Sequence, residues 1–256
     1  MGASGVEKTA PLAHTVNRYR AVLPDPDRLP ADPDAFGVRL RRSLELWRDE
    51  GHRSVLLELP RSLAPLIPVA VAQGFSFHHS NPDELHLLRS LTGEPVYVPS
   101  AMHTLGAGGV VINERDEVLV VWEASHLDRP NDYKLPGGFI DPGEHIAEGV
   151  EREVREETGV EARFEAMVGV RLWHRNAFGT SNLYVICRLS PLSEALHTDD
   201  PEIHDVRWMP VADYLASPDV SPFNKRVVEL ARRGGGLTDT TIEGYRRGRD
   251  EVELLF

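Results

Sequence analysis

Gly138-Phe-Ile-Asp-Pro-Gly-Glu144 is followed, after seven residues, by Arg152-Glu-Val-Arg-Glu-Glu-Thr-Gly-Val160. The stretch predicts a helix over 146–158. Ile146, Val150 and Val154 form an apolar stripe that would hold it against a sheet, and Gly159 ends it. Glu153, Glu156 and Glu157 stand at i, i+3 and i+4, so on a helix they share one face. Three neighbouring carboxylates repel one another and give a fold nothing, whereas a divalent cation removes the repulsion. Oxygen-only ligands select Mg²⁺ or Mn²⁺ over Zn²⁺. Gly149 lies on the same face, where the missing side chain leaves room for a ligand. Glu144, just before the helix, favours its N-terminal dipole, and Arg152 can pair with one acid and fix its rotamer.

Outward from this stretch, 108–113 and 117–122 read as a hairpin around the polar Glu114-Arg-Asp116. Tyr133 to Ile140 reads as a strand broken by Gly137-Gly138. Strands follow over 163–174, 182–189 and 203–209, then helices over 211–216 and 224–233. Gly234-Gly-Gly236 opens a polar tail, 234–256, expected to be poorly ordered. Upstream, Thr92-Gly-Glu-Pro-Val-Tyr-Val-Pro-Ser100 has the punctuation of a domain boundary. Before it the order is strand (17–23), helix (36–47), strand (54–59), helix (63–73) and two strands (75–79, 85–91). The expected organisation is an α/β domain over 14–98, a second α/β domain over 103–233, and the tail.

Composition limits the function classes. The 256 residues carry 28 Lys plus Arg against 40 Asp plus Glu, a formal net charge of -12. Such a chain has no long-range attraction to nucleic acid or anionic lipid. No run approaches the ~18 apolar residues of a membrane span, and Met1 to Pro11 lacks the shape of a signal peptide, so a cytoplasmic protein is expected. Cys187, the single cysteine, sits in a strand-like run and reads as a buried, inert thiol. His78 and His79 are adjacent on a strand and should point to opposite faces. They are read as core or interface residues rather than ligands of one ion.

The 138–160 stretch matches the Nudix box at every specified position, a coincidence of order one in ten million by composition alone. The chain resembles a Nudix hydrolase over roughly residues 103–233. The resemblance implies an α/β/α sandwich and metal-dependent hydrolysis of the pyrophosphate bond of a nucleoside diphosphate linked to another moiety. It makes Glu153, Glu156 and Glu157 metal ligands, with Glu144 assisting, and Arg152 an orienting group. These four glutamates and Arg152 are the candidate metal-binding and catalytic residues. Glu156 or Glu157 is favoured for contact with the activated water, with Glu202 an outside candidate for the base. Lys134, Gly138 and Arg171 are candidate substrate contacts beside the box. Trp173, His174 and Phe178 are candidates for a base pocket, with strand packing as the competing reading.

Residues 36–91, with Phe36, Trp47 and Gly74-Phe-Ser-Phe-His-His79, resemble the pre-Nudix domain of one branch of the family. That branch includes plant ADP-ribose/NADH pyrophosphohydrolases and an animal Nudix protein encoded antisense to a fibroblast growth factor gene. Lys134-Leu-Pro-Gly-Gly-Phe139, Arg171 with His174, and Glu202-Ile203 with Trp208-Met209 agree with it, whereas Tyr133 replaces its usual Trp. The branch makes ADP-ribose or NADH the expected substrate. The NADH signature of another branch, the Tyr of dinucleoside-polyphosphate enzymes and the coenzyme A signature are all missing, and Arg175 and Asn176 stand where many ADP-ribose enzymes carry Pro. The pre-Nudix domain is acetyltransferase-like in fold. The Gln/Arg-x-x-Gly-x-Gly/Ala loop that cradles coenzyme A is absent, so a structural or homodimer-forming role is expected in place of acyl transfer. A non-catalytic nucleotide-binding regulator on the same fold is the other reading, and the intact acid cluster argues against it.

Overall fold

The computed structural model describes residues 10–18, 20–96, 98, 102–129, 131–174, 176, 179–241, 243 and 252–256. The chain forms two compact units, residues 1–100 and 101–256.

The first unit is one five-stranded sheet with helices on one face. Its strands are β1 (His14–Val16), β2 (Ala21–Pro24), β3 (Ser54–Pro60), β4 (Ser76–Ser80) and β5 (Glu84–Ser90), in the order β1-β2-β3-β5-β4. The strand expected over 17–23 is instead a tight antiparallel turn. Asn17 N donates to the Ala21 carbonyl while its Oδ1 accepts from Ala21 N, and Arg20 takes a left-handed backbone, φ 61°, so the strand begins only at Ala21 as β2. Helix α1 (Pro33–Asp49) starts where the Asp32 carboxylate accepts from Ala35 N at 2.8 Å and Pro33 needs no donor. Its buried Phe36, Leu40, Leu44 and Trp47 pack on Val55, Leu57, Leu59 and Leu87 of the sheet. The helix expected over 63–73 is a 3₁₀ segment, Arg61–Leu66, leading into the short α2 (Ile67–Ala72), because Pro65 and Pro68 remove two donors.

The second unit is a sandwich. A four-stranded sheet runs β8 (Gly137–Phe139), β6 (His103–Val111), β10 (Ser181–Pro191), β9 (Ala162–Trp173), with β6 and β10 parallel. A separate pair joins β7 (Glu117–Glu123) to β11 (Ile203–Pro210). Alternation along the strands sorts the core into two layers. Ala107, Val111, Val185 and Cys187 meet Val150 and Val154 of α3 (Ile146–Thr158). Val110 and Ile186 meet α4 (Val211–Ala216) and α5 (Pro222–Arg232) through Val211, Tyr214, Val227 and Val228. Cys187 is buried, and loss of hydration, then Glu253, pushes its thiol up to about 12.

Three expectations change here. Residues 108–113 and 117–122 are neighbours joined by the single bridge Ile112–Val118, not a hairpin ladder. Both edges of β6 are taken by β8 and β10, so β7 pairs with β11. The strand expected over 133–140 is reduced to β8, because Pro136 separates it from the lone bridge Lys134–Val121. The described part of the tail is tied down: Leu237 exchanges two backbone hydrogen bonds with Met167, and Thr238 two with Phe256.

Candidate active site

Helix α3 is built to present acids. Gly159 closes it with a left-handed backbone, φ 74°. Arg152 forms the hub. Its Nε and Nη2 donate to the two oxygens of Glu144, each at 2.8 Å. Its Nη1 donates to Glu153 at 2.7 Å and more weakly to Glu156 at 3.4 Å, and Nη2 also donates to the Phe139 carbonyl at 3.0 Å. This fork holds Glu144 well below the usual carboxylate range and pushes the guanidinium's own pKa up.

The three glutamates expected to share one face diverge. Glu156 is exposed, whereas Glu157 is buried and accepts from Gly137 N at 2.9 Å. Burial pushes Glu157 up to about 7, against the Gly137 amide and Lys134, which pull it down. Glu153 is raised as well, chiefly by burial and against Arg152.

Glycines make this packing possible. A Cβ on Gly138 would lie 2.4 Å from a Glu153 oxygen, so the acid rests against bare backbone. Gly149 departs from expectation: a Cβ there would lie 2.5 Å from Ile140 Cδ1 and 2.8 Å from a Glu144 oxygen. Its missing side chain makes room for Glu144 and Ile140, not for a ligand.

Beside the Gly137 backbone lies a cavity of about 480 Å³, lined by Lys134, Arg171, Tyr184, Phe223 and Asn224 among others. The Arg171 guanidinium lies 4.8 Å from the Tyr184 ring centre and 5.2 Å from that of Phe223. Nη2 donates to Asn182 at 3.3 Å, while its buried Nε has no partner among the described residues. Lys134 pairs with Glu123; burial lowers its pKa, against the fields of Glu157 and Glu202.

Residues 102–231 match the family described as NUDIX domain, and residues 12–91 match one described as Nudix hydrolase domain. Nudix hydrolase 8 of Arabidopsis thaliana is 38% identical over 233 residues, which are 89% of this chain and 63% of that protein. Nudix hydrolase 2 of Arabidopsis thaliana is 36% identical over 219 residues, 85% of this chain and 78% of that protein. The human nucleoside diphosphate-linked moiety X motif 6 is 34% identical over 232 residues, 89% of this chain and 69% of that protein. The chain belongs to the Nudix hydrolase family.

Nudix hydrolases generally use a divalent metal, and the donor set here is of a kind that suits one. Glu153, Glu156, Glu157 and Glu144 offer only oxygens, and Arg152 stands among three of them as a counter-charge. Sequence reading had no signal for Tyr184 or Phe223, which flank Arg171. Trp173 and His174 lie elsewhere. Trp173 is half exposed at the end of β9, and His174 Nδ1 lies 3.2 Å from Ser181 Oγ, neither lining the cavity. Phe178 falls outside the described residues. Glu202 is exposed, its backbone bonded to Ala124 and Asp200, but its charge reaches Lys134.

His78 and His79 also differ from expectation. A register shift between Phe77 and His79 brings their Nδ1 atoms to 2.6 Å. Alternation fails at the irregularity, and neither ring is core. His79 instead stacks on His86 at 4.0 Å. His86 with Glu58 and Glu84 places three metal-capable atoms within 4.8 Å of one another, and His86 and Asn81 hydrogen-bond to Glu84. No described helix is long and apolar enough to cross a membrane.

Proposed function

We propose that this chain hydrolyses the diphosphate bond of a nucleoside diphosphate linked to another moiety, with Mg²⁺ or Mn²⁺, and that ADP-ribose or NADH is the substrate. The supporting observation is the juxtaposition at Gly137–Gly138. On one side stand the acids of α3, and on the other a cavity carrying Arg171 and Lys134. A diphosphate brings negative charge that the cationic side chains match, while the acids need a cation between themselves and the same phosphates. When bound, that cation neutralises the diphosphate and lowers the pKa of a coordinated water.

The remaining roles fall to the chain's own residues. Arg152 fixes Glu144 and Glu153 so that their oxygens stay oriented before a cation binds. Glu157, near neutrality in the metal-free protein, takes the proton of the attacking water. Arg171, held between Tyr184 and Phe223, offers its guanidinium charge to the phosphate or ribose side of the substrate. The substrate choice rests on the likeness of residues 36–91 to the pre-Nudix branch alone, whereas the family matches in both units support the hydrolase class. The first unit, lacking a coenzyme A loop, has a structural or dimer-forming role in this reading.

A panel of ADP-ribose, NADH and other nucleoside diphosphate derivatives with Mg²⁺ and Mn²⁺, read by chromatography in ¹⁸O-water, tests the proposal. AMP plus the other monophosphate, with label on a phosphate, is the expected result. Label only on a sugar carbon, or no cleavage across the panel, refutes it. Cleavage of a different diphosphate keeps the mechanism and removes the substrate assignment.

A further inference from the structure

The first amides of a helix have no partners inside it. In α3 two of them, Ile146 N and Ala147 N, donate to one carboxylate from 107 residues further along the chain. Glu253 accepts at 2.8 and 3.1 Å, one oxygen to each amide. The start of the helix also carries a capping box, in which His145 N donates to the Glu148 side chain at 3.4 Å, but Ile146 N and Ala147 N turn to Glu253.

The tail that carries Glu253 is fastened independently. Leu237 joins Met167 of β9 by two backbone hydrogen bonds, and Arg188 Nη1 donates to the Gly235 carbonyl at 3.0 Å. The end of the chain then runs back along it, through Thr238 with Phe256 and Thr240 N to the Leu254 carbonyl at 2.9 Å. Glu253 lies on this returning segment, so its carboxylate is delivered by a ribbon anchored to the edge of the sheet.

What the carboxylate holds is the end of α3 that sets the acid cluster. Glu144 stands two residues before Ile146. One of its oxygens accepts from Asp141 N at 2.9 Å, and both accept from Arg152. Arg152 in turn holds Glu153. A continuous path of hydrogen bonds and one turn of backbone thus runs from Glu253 to a proposed metal ligand. A carboxylate at this end of a helix also opposes the positive end of its dipole.

We propose that Glu253 is a positioning residue, which fixes the start of the acid-bearing helix and through it the orientation of Glu144, Arg152 and Glu153. The tail is therefore a working part of the hydrolase site. The inference rests on the proposed function only for its kinetic readout; metal affinity and amide protection test it without any substrate.

The experiment compares full-length wild type, E253A and E253Q. Melting temperature, hydrogen exchange at the start of α3, Mn²⁺ affinity by electron paramagnetic resonance, and kcat and KM are measured. E253A should lose protection at 146–147 and melt about 4 °C lower, the scale of a lost helix cap in a domain of this size. It should bind Mn²⁺ several-fold more weakly, and its kcat should fall about tenfold with KM within twofold, because orientation and not substrate binding is disturbed. E253Q keeps an acceptor oxygen and should recover part of each loss. A lower melting temperature with unchanged Mn²⁺ affinity and kcat makes Glu253 merely structural and overturns the proposal, as does unchanged protection at 146–147. Should E253A not fold, E253Q against wild type decides by the same readouts. Should wild type cleave nothing on the panel, the functional reading fails and the exchange and Mn²⁺ measurements still decide this one.

Discussion

Replacing Glu157 by Gln should make the metal-free protein more stable at alkaline pH. The carboxyl is buried, and burial pushes it up to about 7 from an ordinary 4.5. Between those values the folded protein holds a proton that the unfolded chain has released. Stability from this group is therefore fully present below about 4.5, falls as pH rises, and is lost once pH passes about 7. Such a displacement corresponds to about 3 kcal/mol at most. In a domain of this size that is up to roughly 10 °C in melting temperature. Gln preserves the shape and can still accept from Gly137 N, but carries no charge to bury. Thermal melts of metal-free wild type and E157Q from pH 4.5 to 8 should coincide at the acid end and diverge by several degrees at the alkaline end, with the variant higher. Glu153, shifted in the same direction, remains in both proteins and leaves a shared residual slope. Saturating Mg²⁺ should reverse the order at pH 8, because the cation stabilises the charged wild type more than the neutral variant. Parallel curves across the whole metal-free range would show that Glu157 is not the buried acid described here.

Three further outcomes follow from the site. E156Q and E157Q should each lower turnover at least ~100-fold in the presence of Mg²⁺ while far-ultraviolet circular dichroism stays unchanged, the scale of losing charge stabilisation at a metal centre; near-normal activity in both removes the metal assignment. G138A places a Cβ 2.4 Å from Glu153 Oε2 and must swing that acid aside, so kcat should drop at least about tenfold with little change in melting temperature. R171A and F223A should raise KM about tenfold with a smaller effect on kcat, whereas W173A, outside the cavity, should stay near wild type; equal effects from W173A would place the substrate along the exposed end of β9 instead.

How much of this was legible in the sequence depended on whether the cause was local. The helix over 146–158 follows from the Ile146, Val150 and Val154 stripe and the glycine at its end, all within one element, and it stands with those bounds. The path of β7 depends on which strands have already occupied the edges of β6, and no residue between 108 and 122 encodes that. The polar residues of 114–116 signalled a turn correctly, but a turn does not say whether its arms pair. Periodicity misled at His78 and His79 because one extra residue in β4 breaks the alternation the argument assumed.

The acid cluster itself shows the same division. Spacing put Glu153, Glu156 and Glu157 on one side of α3, yet it could not assign them different environments. That division comes from what lies opposite each side chain: the Gly137 amide for Glu157, Arg152 for Glu153, and solvent for Glu156. Gly149 was read as space for a ligand because a missing side chain looks the same in sequence whatever fills the gap; here Ile140 and Glu144 fill it. Glu253 lies at the far end of this scale, an acid in an unremarkable tail whose significance exists only through two amides 107 and 106 residues away. In the proposed mechanism the box supplies the reacting groups and, through Arg152, part of their orientation, while the Gly137 amide and Glu253, outside it, contribute the rest. In such a hydrolase the box alone should predict the class of bond broken. Rate and substrate preference should follow Arg171, which the branch resemblance singled out, together with Phe223 and Glu253, which no spacing rule selects.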